Sequence, residues 1–205
     1  MASKLTTVVF DLGGVLIDWD PRHLYRRLFD DAAAMEHFLA TVCTRAWIEA
    51  QDEGLPAATA AAELIARHPE WRDEIEAYHA HWPETMKQEI EGSVAILEEL
   101  AARGTALYVV SNFSADTFPH AEQRFSFLRH FQGLVISGRE KVKKPDPRIF
   151  QILLERHGIT AEDAIFIDDV AVNVAAAEAS GLRGHHFTGP SVLRARLAAD
   201  GLLER

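Results

Sequence analysis

The stretch that most constrains this chain is residues 8–16, where an apolar run ends at Asp11 and is followed by Gly13 and Gly14. A β-branched apolar run is typical of a buried strand, and glycines allow the backbone to turn tightly. In open α/β sheets, ligands bind at the carboxyl ends of the strands. The stretch therefore predicts Asp11 at a ligand-binding edge, as a nucleophile, a metal ligand or both. The same pattern is also typical of an aspartate that caps an ordinary turn.

Composition limits the classes of protein to be considered. The 205 residues are 48% hydrophobic, which is enough for one domain with a sizeable insertion. The formal net charge of −10 argues against binding to nucleic acid or to an anionic membrane surface. A single cysteine, Cys43, excludes an intrachain disulfide and fits a cytoplasmic location. No uncharged apolar run reaches the length needed to span a membrane.

Apolar periodicity divides the chain into a helical segment and an alternating segment. Residues 19–88 are predicted to be helical without a strand, with Asp20 capping a first helix that Pro21 begins and a long final helix over 70–88. From residue 91 onward, helices alternate with predicted strands at 106–110, 134–136, 164–167 and 183–187, and Ser93 and Ser191 are expected helix N-caps. This pattern predicts an α/β fold: a parallel sheet covered by helices on both faces (1–18 and 89–205) and an inserted all-helical segment (19–88).

Polar residues follow several of the predicted strands. Asp11, Ser111, Asp168 and Asp169 stand at strand ends, and Lys144 lies in a loop after another strand. Because parallel strands end at one edge of the sheet, these side chains are expected to meet there. Carboxylates suit Mg²⁺, and a metal, a lysine and a hydroxyl can neutralise a phosphate that Asp11 attacks. Individually, Ser111 is also typical of a turn, and Lys144 of a solvated surface.

The combination resembles the haloacid dehalogenase (HAD) superfamily over essentially the whole chain. The resemblance is carried by residues 10–16, 110–112, 144–150 and 166–169. It implies a Rossmann-like three-layer core with an inserted all-helical cap. It also implies that Asp11 is the nucleophile and that the site residues, Asp11 included, divide into three groups. These are the Mg²⁺ ligands Asp11, Asp168 and the backbone carbonyl of Gly13, the phosphate-binding residues Ser111, Asn112 and Lys144, and the supporting residues Asp169 and Asn173.

One position departs from the pattern of most phosphatases in that superfamily. Gly13 stands where they carry a second aspartate that acts as general acid and base. The substitution fits a leaving group that needs little protonation, such as the anomeric oxygen of a sugar phosphate, and the Asp-Leu-Gly opening is similar to that of bacterial sugar-1-phosphate phosphatases. Alternatively, Asp18 or Asp20 replaces the missing acid, or the reaction is a different one.

The favoured function is a Mg²⁺-dependent phosphomonoester hydrolase that forms an aspartyl-phosphate and acts on a small phosphorylated metabolite, as a monomer or homodimer. One alternative is a metal-independent 2-haloacid dehalogenase, in which Arg26, Arg27 or Arg45 would hold the substrate carboxylate. The adjacent acids at 168–169 argue against it, because they would repel that carboxylate. A second alternative is a non-catalytic binding protein on the same fold. Among the tryptophans of the cap, Trp47 is the expected pocket residue.

Overall fold

A computed structural model describes residues 4–204 and contains a five-stranded parallel sheet and a two-stranded antiparallel ribbon. The strand order in the sheet is β5-β4-β1-β6-β7, and β2 pairs with β3 in the ribbon. The strands are β1 (Thr7–Phe10), β2 (Ile17–Trp19), β3 (Met86–Glu89), β4 (Ala106–Ser111), β5 (Gly133–Ile136), β6 (Ala164–Asp168) and β7 (Arg183–His186).

The α-helices occupy the connections between these strands. They are α1 (Pro21–Tyr25), α2 (Ala32–Thr41), α3 (Arg45–Asp52), α4 (Ala57–Arg67), α5 (Arg72–Ala80), α6 (Glu91–Ala102), α7 (Phe118–Arg124), α8 (Ser137–Glu140), α9 (Pro147–His157), α10 (Ala171–Ala179) and α11 (Pro190–Ala199). Short 3₁₀ helices are found at Pro69–Trp71, Trp82–Thr85, Ser126–His130 and Ala161–Asp163.

Alternating side chains of the central strand pack against helices on both faces of the sheet. Val8 and Phe10 belong to one apolar cluster, whereas Val9 belongs to a second cluster on the opposite face. This alternation follows from the two-residue period of a strand. The second cluster includes Phe150 of α9 and Ala177 of α10, and the first includes Leu97 of α6. The predicted α/β fold with a three-layer, Rossmann-like core is therefore confirmed.

The register of the sheet places the functional strand ends side by side. Phe10 of β1 pairs with Val109 of β4 and with Ile167 of β6, both in parallel. The next residue along β1 is Asp11, whose backbone N–H donates to the carbonyl of Ile167 at 2.9 Å. Consequently the ends of β1, β4 and β6 meet at one edge of the sheet.

The segment between β2 and β3 is helical, but the predicted final helix over 70–88 was wrong. Helix α5 ends at Ala80, a 3₁₀ turn follows, and β3 then pairs with β2 through Trp19 and Met86. Pro83 explains the difference, because proline lacks the N–H that a continuing α-helix requires. Hereafter residues 21–85 are called the helical insertion. The expected division into a core at 1–18 and 89–205 and a cap at 19–88 stays a prediction.

Two of the three expected N-caps were also wrong. Asp20 does cap α1, because its side chain accepts from the backbone N–H of Arg22 at 2.8 Å. Ser93, however, is buried within α6, whose N-cap is Ile90, and Ser191 lies inside α11 after the N-cap Gly189. Helix α11 begins at Pro190, the first-turn position that proline favours, so its start precedes the serine. Within residues 4–204, no helix has the length and apolarity required to cross a membrane.

Candidate active site

Lys144 connects two of the strand ends. Its Nζ lies 2.9 Å from Oδ2 of Asp11 and 2.7 Å from Oδ2 of Asp168. The lysine is only 2% exposed, and its ammonium also lies 5.3 Å from the ring centroid of Phe166. A buried ammonium of this kind requires paired charges. Lys144 is therefore a fixed component of the site rather than a solvated surface lysine.

The loop that carries Lys144 is held by Asn112. The Asn112 side chain donates Nδ2–H to the carbonyl of Lys144 at 3.0 Å and accepts from its backbone N–H through Oδ1 at 2.8 Å. The nitrogen and the oxygen of the Asn112 amide thus each form a hydrogen bond with the backbone of Lys144. The amide therefore helps to hold Lys144 in place, and the expected phosphate-binding role of Asn112 stays a prediction.

Asp168 is oriented by groups that follow it in the chain. Nδ2 of Asn173, on α10, lies 3.2 and 3.1 Å from the two carboxylate oxygens of Asp168. The backbone N–H of Val170 donates to Oδ1 at 2.7 Å. These hydrogen bonds fix the orientation of the Asp168 carboxylate. Asn173 therefore contacts Asp168 directly, and the supporting role that the family resemblance implies for it stays a prediction.

Asp11 is oriented by its own neighbour and lies among further polar groups. The backbone N–H of Leu12 donates to Oδ1 of Asp11 at 2.7 Å, which leaves Oδ2 beside Lys144. The hydroxyl of buried Ser111, at the end of β4, is close enough to lower the pKa of Asp11. Asp11, Ser111, Lys144 and Asp168 are therefore brought together, as expected from their strand ends.

Three carboxylates form a compact acidic cluster. Oxygen atoms of Asp11, Asp168 and Asp169 all lie within 4.8 Å of one another. When the three are ionised, the ammonium of Lys144 offsets one of their charges and leaves an excess of negative charge. Asp169 is also packed against the Gly14 turn, because a Cβ at Gly14 would lie 2.3 Å from Oδ2 of Asp169. The arrangement has the donor type and charge that a divalent cation requires.

The electrostatics of the cluster are visible in its pKa values. Burial raises the pKa of Asp11 to about 7, against the attraction of Lys144 and with a contribution from Asp168. Burial disfavours the Lys144 ammonium, but Asp11 and Asp168 outweigh this effect, so the pKa of Lys144 is raised. The pKa of Asp169 is raised by burial and by Asp168. Lys144 therefore stays protonated. Its single positive charge does not offset the mutual repulsion of the carboxylates, so the pKa values of Asp11 and Asp169 stay raised.

A pocket opens beside this cluster, between the sheet edge and the helical insertion. One part of its wall is apolar and the other is polar. The apolar part consists of Ile17, Trp19, Ile48, Tyr78, Trp82 and Phe113, and the polar part of Gln51, Asp52, Asn112, Ser114 and Thr117 next to Gly13. Gly13 and Asn112 stand next to the strand ends that carry Asp11 and Ser111, so the pocket adjoins the acidic cluster.

Comparison with known proteins identifies the family. A family model for haloacid dehalogenase-like hydrolases matches residues 5–181. The chain belongs to the haloacid dehalogenase-like hydrolase family. A sesquiterpene phosphatase of Aspergillus oryzae is 24% identical over 188 residues, which cover 92% of each chain. A phosphorylated carbohydrates phosphatase of Thermotoga maritima is 23% identical over 180 residues, which cover 87% of this chain and 82% of the relative.

Solved structures share the fold of this HAD-like hydrolase. A HAD family enzyme of Bacteroides thetaiotaomicron, solved in complex with magnesium and inorganic phosphate, superposes with a TM-score of 0.68 at 21% identity. The match covers 90% of this chain and 95% of the other. The predicted HAD resemblance is confirmed, and the names of the relatives favour a phosphatase over a dehalogenase.

Several expectations about the pocket of this HAD-like hydrolase were wrong. Trp47 does not line it, because its indole N–H donates to the carbonyl of Ala60 at 3.0 Å and its ring packs on Tyr78. The tryptophans in the pocket wall are Trp19 and Trp82. The spacing of apolar residues could not distinguish Trp47 from Trp19 and Trp82. Only the packing of the helical insertion against the sheet edge decides which tryptophan lines the cavity.

The expected substitutes for the missing acid are also engaged elsewhere. Oδ1 of Asp18 lies 2.9 Å from Nε2 of His23, and Asp20 caps α1. Neither carboxylate lines the pocket beside Gly13. The carboxylate that does line it is Asp52, at the end of α3, which the sequence pattern did not single out.

Proposed function

We propose that this HAD-like hydrolase is a Mg²⁺-dependent phosphomonoester hydrolase with Asp11 as its nucleophile. The observation that carries the proposal is the buried contact of Lys144 with both Asp11 and Asp168, beside a third carboxylate. A nucleophilic carboxylate, a fixed ammonium and a cluster of hard oxygen ligands are the components that phosphoryl transfer needs.

The residues present fit a magnesium ion. Asp11, Asp168 and the carbonyl of Gly13 would hold it, with Asp169 close by. The three clustered carboxylates carry more negative charge than Lys144 offsets, and a divalent cation would balance the excess. When bound, the ion would neutralise phosphate oxygens and the charge that develops during transfer. The relative from Bacteroides, solved with magnesium and inorganic phosphate, supports this choice of metal.

The remaining steps are nucleophilic attack, stabilisation of the phosphoryl oxygens and hydrolysis of the intermediate, and each involves residues of the site. An oxygen of Asp11 attacks phosphorus, the bond from phosphorus to the alcohol oxygen breaks, and an aspartyl-phosphate forms on Asp11. Lys144 and the hydroxyl of Ser111 would stabilise the phosphoryl oxygens, and the Asn112 amide holds the backbone of Lys144. Water then attacks the phosphorus of the aspartyl-phosphate, which releases inorganic phosphate and regenerates Asp11.

The alternative reactions are less compatible with this charge distribution. A 2-haloacid dehalogenase must hold a carboxylate and release a halide beside Asp11. Asp168 and Asp169 place two more carboxylates there, and repulsion of like charge would weaken substrate binding. Arg27 and Arg45, two candidates for a substrate clamp, are paired with Glu84 and Glu49 on the protein surface. A non-catalytic binding role is disfavoured because Asp11, Lys144, Ser111 and Asp168 are all present and in contact range.

The substrate class is part of the same proposal. We expect a small phosphorylated metabolite, and a sugar phosphate stays a prediction. The aromatic and aliphatic part of the pocket wall favours a second class, the phosphate ester of an alcohol with an apolar group, because a polyol would leave hydroxyls unpaired there. The names of the Aspergillus and Thermotoga relatives include one phosphatase of each class. Comparison of kcat/KM for benzyl phosphate and glucose 1-phosphate separates them.

The deciding experiment is p-nitrophenyl phosphate hydrolysis by the purified protein, with Mg²⁺ and with EDTA. This ester has a good leaving group, so the glycine at position 13 cannot hide the activity. We expect turnover that requires Mg²⁺ and is abolished by Asp11→Asn. Asp73→Asn, an exposed aspartate on α5, is the matched control and should retain activity. Turnover that is unchanged in Asp11→Asn would contradict the proposal, as would halide release from a 2-haloacid without metal.

A further inference from the structure

Asp52 lies across the pocket from the catalytic cluster. It is the last residue of α3 and shares the pocket wall with Gly13 and Asn112, which adjoin the nucleophile and the phosphate-binding residues. The negative charge of Asp11 is close enough to act on the Asp52 carboxyl. Asp52 therefore lies on the side of the site where the alcohol part of a phosphate ester would sit.

The end of α3 is hydrogen-bonded to segments that follow the strands of the active site. Ser137 Oγ donates to the backbone carbonyl of Asp52, and the same oxygen accepts from the backbone N–H of Phe113 at 2.9 Å. Phe113 directly follows Ser111 and Asn112 in the chain. A second connection joins the backbone N–H of Ala57 to Oδ2 of Asp116 at 2.8 Å. These contacts position Asp52 relative to the strand ends although it belongs to the helical insertion.

The surroundings of Asp52 suit proton transfer at neutral pH. Burial raises its pKa to about 7, and the charge of Glu49 adds to the effect, as does that of Asp11 to a smaller extent. Lys143 and the nearby backbone N–H of Ser114 act in the opposite direction. The phenol of Tyr78 also faces this carboxyl. A general acid works best when its pKa is near the working pH, since it can then donate and take back a proton.

Gly13 provides no acid beside Asp11, although the structure has space for a side chain at this position. A Cβ added at Gly13 would meet only Trp19 Cβ, at 4.0 Å, and the residue does not have a positive φ. Sterics therefore do not require a glycine there. The absence of an acid at this position has to be compensated from another part of the pocket if the enzyme acts on esters with poor leaving groups.

We propose that Asp52 is the general acid of the phosphatase reaction, acting from the helical insertion in place of an aspartate at position 13. This role rests on the proposed function. As Asp11 attacks phosphorus and the ester bond breaks, the neutral Asp52 carboxyl gives its proton to the leaving alkoxide. The resulting Asp52 carboxylate then takes up a proton from bulk solvent, which restores the neutral carboxyl for the next turnover.

The test compares esters whose leaving groups differ in basicity, in the presence of Mg²⁺. For Asp52→Asn we expect kcat on p-nitrophenyl phosphate to change little, because p-nitrophenolate leaves without protonation. On benzyl phosphate, whose alkoxide requires a proton, we expect kcat to fall about 10²–10⁴-fold. Inhibition by inorganic phosphate should be unchanged. Glu53→Gln is the matched control, because Glu53 is an exposed neighbour that pairs with Lys143, and it should not affect either ester selectively.

A second variant separates proton transfer from a structural role. In Gly13→Asp/Asp52→Asn, an acid returns at the vacant position, and we expect benzyl phosphate hydrolysis to recover relative to Asp52→Asn. A loss in Asp52→Asn that is equal for both esters, or no loss with either, would overturn the role of Asp52. A wild-type protein that hydrolyses neither ester with Mg²⁺ would instead contradict the proposed function, and the role of Asp52 with it.

Discussion

The ammonium of Lys144 lies 2.7 Å from a carboxylate oxygen of Asp168, and both side chains are almost completely buried. The same ammonium also reaches Asp11 at 2.9 Å, so one lysine connects two strand ends that are 157 residues apart in sequence. A buried charge cluster of this kind is strongly destabilised when one partner is removed. Its arrangement leads to predictions for both activity and stability.

Removal of the Lys144 ammonium should abolish activity. In Lys144→Ala, the buried carboxylates lose their counter-charge and a phosphoryl group loses a fixed cation, so we expect kcat/KM to fall at least about 10²-fold. The protein should also lose its thermal stabilisation by added inorganic phosphate. Lys87→Ala, at an exposed position on β3, is the control and should match the wild type in both measurements. An unchanged phosphate response in Lys144→Ala would rule out the phosphate-binding role.

Removal of the Asn173 amide should weaken magnesium binding. Asn173→Ala deletes the side chain that contacts both oxygens of Asp168 at 3.2 and 3.1 Å. Groups that orient metal ligands typically contribute about 10–100-fold in metal affinity. We therefore expect the Mg²⁺ concentration for half-maximal activity to rise by that factor, while kcat at saturating Mg²⁺ changes much less. A Mg²⁺ titration that coincides with that of the wild type would show that Asn173 does not support the metal site.

The two glycines after Asp11 should differ in their tolerance of a side chain. Gly14 has a φ of +72°, and its Cβ would lie 2.3 Å from Oδ2 of Asp169, whereas a Cβ at Gly13 would lie no closer than 4.0 Å to Trp19 Cβ. We expect Gly14→Ala to lower the free energy of unfolding by about 1–3 kcal/mol, since it adds strain and displaces Asp169. Gly13→Ala is the matched variant and should differ from the wild type by well under that amount. If chemical denaturation gave the same loss of unfolding free energy for Gly14→Ala and Gly13→Ala, the predicted difference between the two glycines would be refuted.

The raised pKa of Asp52 should make stability depend on pH in a defined direction. In the folded protein this pKa is about 7, compared with an ordinary value of 3.8. Between these pH values the carboxyl ionises in the unfolded chain but stays neutral in the fold. The contribution of the neutral Asp52 carboxyl to the free energy of unfolding is thus fully present below pH 3.8. It decreases as the pH rises and is lost once the pH passes 7. In EDTA, the free energy of unfolding of Asp52→Asn should increase relative to the wild type over this range. A constant difference across that range would contradict the assignment.

Much of the catalytic cluster could be predicted because its parts are local. Asp11 and Asp168 each terminate an apolar strand, and parallel strands with short connections end at the same edge of a sheet. Their meeting was therefore expected from the parallel direction of the strands and required no knowledge of side-chain packing. The bounds of α9 also depend on local signals, because a proline stands at its first position and a glycine with positive φ follows its last.

The helical insertion was less predictable. The ribbon of β2 and β3 was missed because each strand has only three or four residues, too few for a clear alternating pattern, and because the strands pair across residues 20–85. The same reason applies to the pocket. Trp47 and Trp19 have similar sequence signals, yet only contacts between the insertion and the sheet edge decide that Trp19 lines the cavity.

The sequence alone determined the α/β class, the family resemblance and the strand ends that supply Asp11, Ser111 and Asp168. Tertiary structure decided that the Asn112 amide holds Lys144 and that Asp52, on a distant helix, lies opposite Gly13. The difference has a physical cause. Strand ends are aligned by backbone hydrogen bonds that any sequence can make, whereas the position of α3 depends on side-chain packing and on the hydrogen bond from Ser137.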